Sequence, residues 1–182
     1  MEKRLEESRR IIAIATVGDA DPGVVAHLHG VIEEAFCRGI VDAPALPLPK
    51  GAHRSSRGRW LATDLLDAVA AARSQSWERI LGVAEVDLFV PDLNFVFGVA
   101  DASRSAAIMS LARLVARADP ERTLRRAATE AVHELGHAYG LGHCRDARCV
   151  MWFSNTLAET DRKGSQFCAR HAAALRRADA GA

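Results

Sequence analysis

No run of apolar residues in this sequence approaches the roughly 20 that a membrane-spanning helix requires. The first candidate, Ile11 to Val17, is interrupted by Gly18-Asp19 and follows a densely charged start, Met1 to Arg10, so neither a signal peptide nor an anchor is expected and the chain is assigned to the cytoplasm. An excess of one charge is also missing: 24 Lys and Arg face 23 Asp and Glu, a formal net charge of +1. Such a chain has no global field to attract nucleic acid or an anionic membrane, and neither partner is expected. Internal repeats and long low-complexity tracts are lacking too. Cysteine is scarce, with four in 182 residues, and three of these fall after residue 140 among histidines. In a reducing compartment that grouping points to metal ligands rather than disulfides. Cys37 stands apart at the end of an apolar helical pattern and is expected to be a buried thiol.

What the chain does have is 49% hydrophobic residues, enough for one sizeable core, so residues 1–182 are expected to form a single domain. Ile11 to Val17 predicts a buried strand, and Asp21-Pro22-Gly23 opens a helix to about Cys37. His27 and His29 on that helix point about 200° apart and cannot share a ligand. Val41 to Leu48, with Pro44 and Pro47 inside it and Pro49 just after, predicts at best an edge strand, and Lys50 to Arg59 a solvated basic loop. A helix from Trp60 to about Arg73 follows, then strands at Arg79–Ala84 and Val86–Val90, the latter holding Asp87 on the same face as Glu85, a face expected to meet solvent. Asn94–Ala100 and Ala106–Leu111 predict an antiparallel pair at one side of the sheet. Asp119 as N-cap and Pro120 at the first helical position open a helix to about Tyr139, with Leu124, Ala127, Ala128, Ala131, Leu135 and Ala138 facing the core. A polar linker and a last helix over about 166–177 complete the chain.

The chemistry is concentrated in His133-Glu134-Leu135-Gly136-His137-Ala138-Tyr139-Gly140-Leu141-Gly142-His143. On a helix, His133 and His137 lie one turn apart on a single face, so both imidazoles reach one cation with Glu134 beside it. Gly140 adopts the left-handed backbone that ends the helix and returns His143 as a third ligand. Three protein ligands leave the fourth tetrahedral position to water, the arrangement of a catalytic zinc. A second group, Cys144, Cys149, Cys168 and His171, pairs as C-x4-C and C-x-x-H, which suits a closed structural zinc tying the last helix to the catalytic turn.

The run H-E-x-x-H-x-x-G-x-x-H-C-x4-C-x-M, from His133 to Met151, resembles the signature of the archaemetzincins, within the metzincin clan of zinc peptidases. The resemblance reaches upstream to Ile80–Val90 and to Asn94-Phe95-Val96-Phe97-Gly98, and covers the first sixty residues loosely. It implies an α/β (α+β) zincin fold: a mixed, twisted sheet with an antiparallel edge strand packed against the active-site helix. Residues 1–140 would form an upper subdomain and 141–182 a small lower one. It further implies a catalytic zinc on His133, His137 and His143, Glu134 as general base, Met151 as the Met-turn beneath the metal, and a structural zinc on Cys144, Cys149 and Cys168. The family's fourth cysteine is replaced by His171, so a Cys3His site is expected. Two zinc ions per chain and a peptide or protein substrate follow, the substrate lying along Asn94–Ala100 with Trp152 and Phe153 as candidate pocket residues. Two other readings use the same residues: a non-catalytic zinc or peptide-binding protein, and a zinc hydrolase of a non-peptide amide. Glu134 argues against the first, because zinc retention needs no carboxylate there. The oligomeric state does not follow from the sequence.

Overall fold

A computed structural model describes residues 10–116 and 119–180, so most of the charged opening stretch lies outside the described residues. Five strands form the main sheet in the order β2 (Gly39–Asp42), β1 (Ile11–Val17), β5 (Arg79–Ala84), β9 (Ala106–Ser110) and β8 (Gly98–Asp101). The first four run parallel, and β8 runs antiparallel to β9, with Ala100 opposite Ala107. The expected antiparallel pair is therefore present at one side of the sheet.

Alternation along the strands sorts the core into two layers. Ile12 and Ile14 of β1 join Leu81, Val83 and Met109 on one face, under helices α1 (Pro22–Phe36) and α3 (Pro120–Ala138). Ala13, Ala15 and Val17 join Ile80 and Ile108 on the other, under Leu65 and Val69 of α2 (Ala62–Ala72). Both faces of the sheet are covered, which is why β1 and β5 read as continuous apolar runs. Among the described residues no helix is long and apolar enough to cross a membrane.

The helix starts follow their sequence signals. Asp21 accepts from the amides of Gly23 and Val24 at 2.7 and 3.4 Å, and Asp119 from that of Arg122 at 2.9 Å, each with proline next in the chain. At the far end of α3 the guanidinium of Arg79 donates to the Ala138 carbonyl at 3.0 Å and covers the Tyr139 ring, a cation at the negative end of the helix dipole.

Several sequence expectations are corrected. Cys37 is exposed, because it caps α1 in a left-handed conformation (φ 53°) one residue beyond the buried stripe Leu28, Ile32, Phe36. The basic stretch is largely exposed, as expected, but it is not a plain loop: His53–Arg54 (β3) and Arg59–Leu61 (β4) form a hairpin, Arg54 pairs with Asp64, and Arg57 lies over Phe89. Asn94–Ala100 is two strands rather than one. Leu93–Val96 (β7) pairs with Leu88–Val90 (β6) in a second, four-stranded sheet, and the chain changes partner at Phe97 to enter β8. Alternation specifies which faces a strand presents, not which strand it pairs with. The polar linker holds a further helix, α4 (Leu157–Lys163), begun by a Thr156/Glu159 capping box, and the last helix, α5, spans Ala169–Ala180.

Asp87, expected on a solvent face, is instead the ionic hub of the second sheet. Its carboxylate accepts from Arg113 at 2.6 and 2.7 Å and from Arg59 at 2.9 Å, while Arg113 also lies over the Phe95 ring and Arg59 donates to the Asn94 carbonyl. Partial burial works against its ionisation, but the hydrogen bonds and charge of Arg113 and Arg59 prevail and hold its pKa below the ordinary 3.8. A depressed carboxyl contributes stability above its unfolded pKa and loses it as pH falls through the folded value. Asp87→Asn is therefore expected to cost about 2 kcal/mol at neutral pH. Hydrogen exchange should show β7 opening first, and the difference from wild type should vanish under acid conditions; an equal cost at all pH would contradict this.

Candidate active site

The last turns of α3 carry His133, Glu134 and His137 on the side of the helix that faces a cleft of about 570 Å³. Gly140, at φ +82°, lets the chain leave the helix, and Leu141 donates back to the Gly136 carbonyl at 3.0 Å. His143 then faces the same point: its ring centroid lies 5.5 Å from that of His133 and 4.8 Å from that of His137.

Two of the three imidazoles are oriented by the main chain. With Nδ1 carrying the proton, His133 donates to the Val150 carbonyl at 2.7 Å and His137 to the Leu141 carbonyl at 2.8 Å. That tautomer leaves Nε2 of each as the free lone pair, and the two Nε2 atoms are 3.1 Å apart. Zinc–nitrogen bonds of about 2.0–2.1 Å in a tetrahedron would place two ligand nitrogens roughly 3.3 Å apart. The donor set thus fits zinc. Burial lowers the pKa of all three histidines, and the charge of Lys163 lowers it further, which favours the neutral imidazole that a metal would need.

Beneath the histidines, Met151 is fully buried against the helix: a Cβ added at Gly136 would collide with its sulfur. A side chain at position 136 would displace the Met151 thioether from this seat. A second close approach fixes Glu134. A Cβ at Gly98 would meet Glu134 Cγ at 2.6 Å, so β8 lies directly on the carboxylate's stem. Burial, and then the charge of Glu130, push the Glu134 carboxyl up to about 8, against the opposing effect of Lys163.

The cleft walls are apolar, with Phe95, Phe97, Val99 and Leu141 among the lining. Phe153 lines it, its ring 4.9 Å from that of His143, whereas Trp152 is not among the lining residues and pairs with Cys144. Phe153 and Leu93 at the rim are each 48% exposed, two of three large apolar residues left in water among those described.

Sequence reading overlooks the groups behind the histidines. Glu130, Thr160 and Lys163 are buried there, with Lys163 Nζ 3.3 Å from Glu130 Oε1 and 3.4 Å from His133 Nδ1. Glu130 gave a signal, as an acid among the alanines of a core stripe; Lys163 gave none.

The second cluster is also assembled. The ligand atoms of Cys144, Cys149, Cys168 and His171 all lie within 4.8 Å of one another. Cys144 and Cys168 sulfurs are 3.9 Å apart, and His171 Nδ1 is 3.6 Å from Cys149 and 3.3 Å from Cys168 sulfur. Tetrahedral zinc with Zn–S of about 2.3 Å asks for roughly 3.8 Å between sulfurs and 3.6 Å between sulfur and nitrogen. His171 is thus presented through Nδ1. Burial opposes ionisation of Cys149 and Cys168; it pushes Cys149 up to about 11, while hydrogen bonds with His171 and the neighbouring cysteines bring Cys168 down to about 6.

A carboxyl with a raised folded pKa contributes stability that is fully present below its unfolded value and is lost as pH rises through the folded one. For Glu134 that window runs from 4.5 to about 8. In protein stripped of metal by a chelator, thermal stability relative to Glu134→Gln is therefore expected to fall across it, the histidines contributing alike to both. Identical pH profiles for the two would contradict the burial argument.

The family model for peptidase family M54 matches residues 49–177. Archaemetzincin of Methanopyrus kandleri is 46% identical over 130 residues, covering 71% of this chain and 73% of that protein. The archaemetzincin of Pyrococcus furiosus is 35% identical, covering 88% and 89%. The crystal structure of the Methanopyrus kandleri archaemetzincin superposes with a TM-score of 0.85 at 36% identity over 94% of this chain and 96% of that one. That of Archaeoglobus fulgidus archaemetzincin, complexed with malonate, gives 0.80 at 31% identity over 90% and 98%. Matched through its sequence over most of its length and through its fold over nearly all of it, the chain belongs to peptidase family M54, the archaemetzincin zinc metallopeptidases, which act on peptide substrates.

Proposed function

We propose that this chain hydrolyses peptide bonds with His133, His137 and His143 as the catalytic zinc ligands and Glu134 as general base. The observation that carries the reading is the 3.1 Å separation of two Nε2 atoms whose Nδ1 partners are already committed to backbone carbonyls. Zinc held there would supply Lewis acidity, polarising a scissile carbonyl and lowering the pKa of water toward neutrality. Glu134, buried and next in the chain to His133, would be returned to its ionised form by the charge of a zinc ion beside it; as carboxylate it takes the water proton and passes it to the leaving amine. No nucleophilic side chain is required. The peptide extends along the free edge of β8, where Gly98 keeps the backbone low over Glu134, and apolar side chains find Phe153 and Leu93 at the rim.

Cys144, Cys149, Cys168 and His171 hold a second, structural zinc in this reading, making two per chain. A cytoplasmic setting would keep those thiols reduced. Residues 141–182 act as the lower subdomain, with Met151 as the floor of the site.

Glu134→Ala is expected to keep the fold and both metals while lowering cleavage in a broad peptide library by about 10²–10⁴-fold or more. Undiminished turnover would overturn the assignment of the base. Metal analysis should return two zincs in wild type, and one in a Cys144→Ser/Cys149→Ser variant of reduced stability. A variant that still binds two would remove the second site from the reading.

A further inference from the structure

Lys163 has no solvent exposure in its side chain and Glu130 has 3%, yet they face each other at 3.3 Å directly behind the first histidine. Taking two charges out of water is costly, and such a pair rarely stabilises a fold more than apolar residues of the same size would. Its geometry explains more than its energy does. Lys163 Nζ, at the end of α4, meets Glu130 of α3 and donates to the Trp152 carbonyl at 3.3 Å. Thr160 donates to the same Glu130 oxygen at 3.1 Å and lies 3.3 Å from the hydroxyl of Ser154 on the cleft wall. Val150, two residues before Trp152, accepts from His133 Nδ1. With that proton committed to Val150, the ammonium 3.4 Å away cannot hydrogen-bond Nδ1; its grip on His133 runs through the main chain.

The two helix histidines therefore differ. His137 is oriented by Leu141, four residues on in the same turn, whereas His133 is oriented by a carbonyl seventeen residues away. We propose that the Glu130–Lys163 pair is the positioning device for the first ligand: it pins the Val150–Trp152 segment to α3, so that the Val150 carbonyl holds His133 with Nε2 toward the metal. This rests on the reading of His133 as a catalytic zinc ligand. Glu130 and Lys163 are positioning residues, since they act through His133; Glu130 also lines the cleft, while Lys163 does not.

The test is cobalt(II) reconstitution of the full chain, reading chelator competition and the visible absorption of the nitrogen-ligated site separately from the near-ultraviolet thiolate band of the cysteine site. Glu130→Leu/Lys163→Met removes both charges at similar volume. It is expected to fold, to keep the thiolate band, to shift the visible bands, and to bind metal at the histidines about 10–100-fold more weakly. Thr160→Val, which keeps both charges but frees Glu130, should weaken the same site by a smaller factor. A double variant with wild-type affinity and spectrum would overturn the proposal. Should the double variant not fold, Thr160→Val decides alone, and an unchanged affinity overturns it. Wild-type protein that takes up no cobalt on the histidines would instead overturn the proposed function.

Discussion

The contact on which the rest depends is that between the end of α3 and the turn that comes back beneath it: Met151 sulfur set against Gly136, and the Val150 carbonyl under His133. A helix can bring two histidines to one face by periodicity alone, but it cannot aim them. Aim requires a partner on the far nitrogen of each ring. For His137 the helix ending provides one; for His133 the chain must travel to residue 150 and return. The missing side chain at 136 is what allows that return to come close enough.

The same return builds the second cluster. His143 turns toward the first site and Cys144 toward the second, with no residue between them. Cys149 then precedes the orienting carbonyl of Val150 by one position. The histidine cluster is thus assembled from a stretch whose other side chains are committed elsewhere, between α4 and α5 in the lower part of the fold. Glu130 and Lys163 belong to this region, joining α3 and α4 at the level where the histidine ring needs support.

Much of this was legible in the sequence, and the limits have physical causes. Local signals read correctly where the determining partners are near in the chain: Asp21-Pro22, Asp119-Pro120, the left-handed Gly140, and the spacing that gathers three histidines. The exposure of Cys37 is not legible, because hydrophobic periodicity does not announce where a helix stops. Thr156 and Glu159 do spell a capping box for α4, but its seven residues present few apolar positions. Asp87, Lys163 and the change of partner at Phe97 were not readable at all. Each is settled by groups that lie tens of residues away or in another sheet.

That change of partner has a consequence for anything lying along the cleft. Residues 93–101 are one unbroken stretch, but its later half is anchored in a five-stranded sheet covered on both faces, and its earlier half in a small sheet moored by Asp87 and two arginines. The rail beside Glu134 is therefore held by two different sheets. A peptide lying along it would meet, on its two halves, strands whose positions are set by different partners.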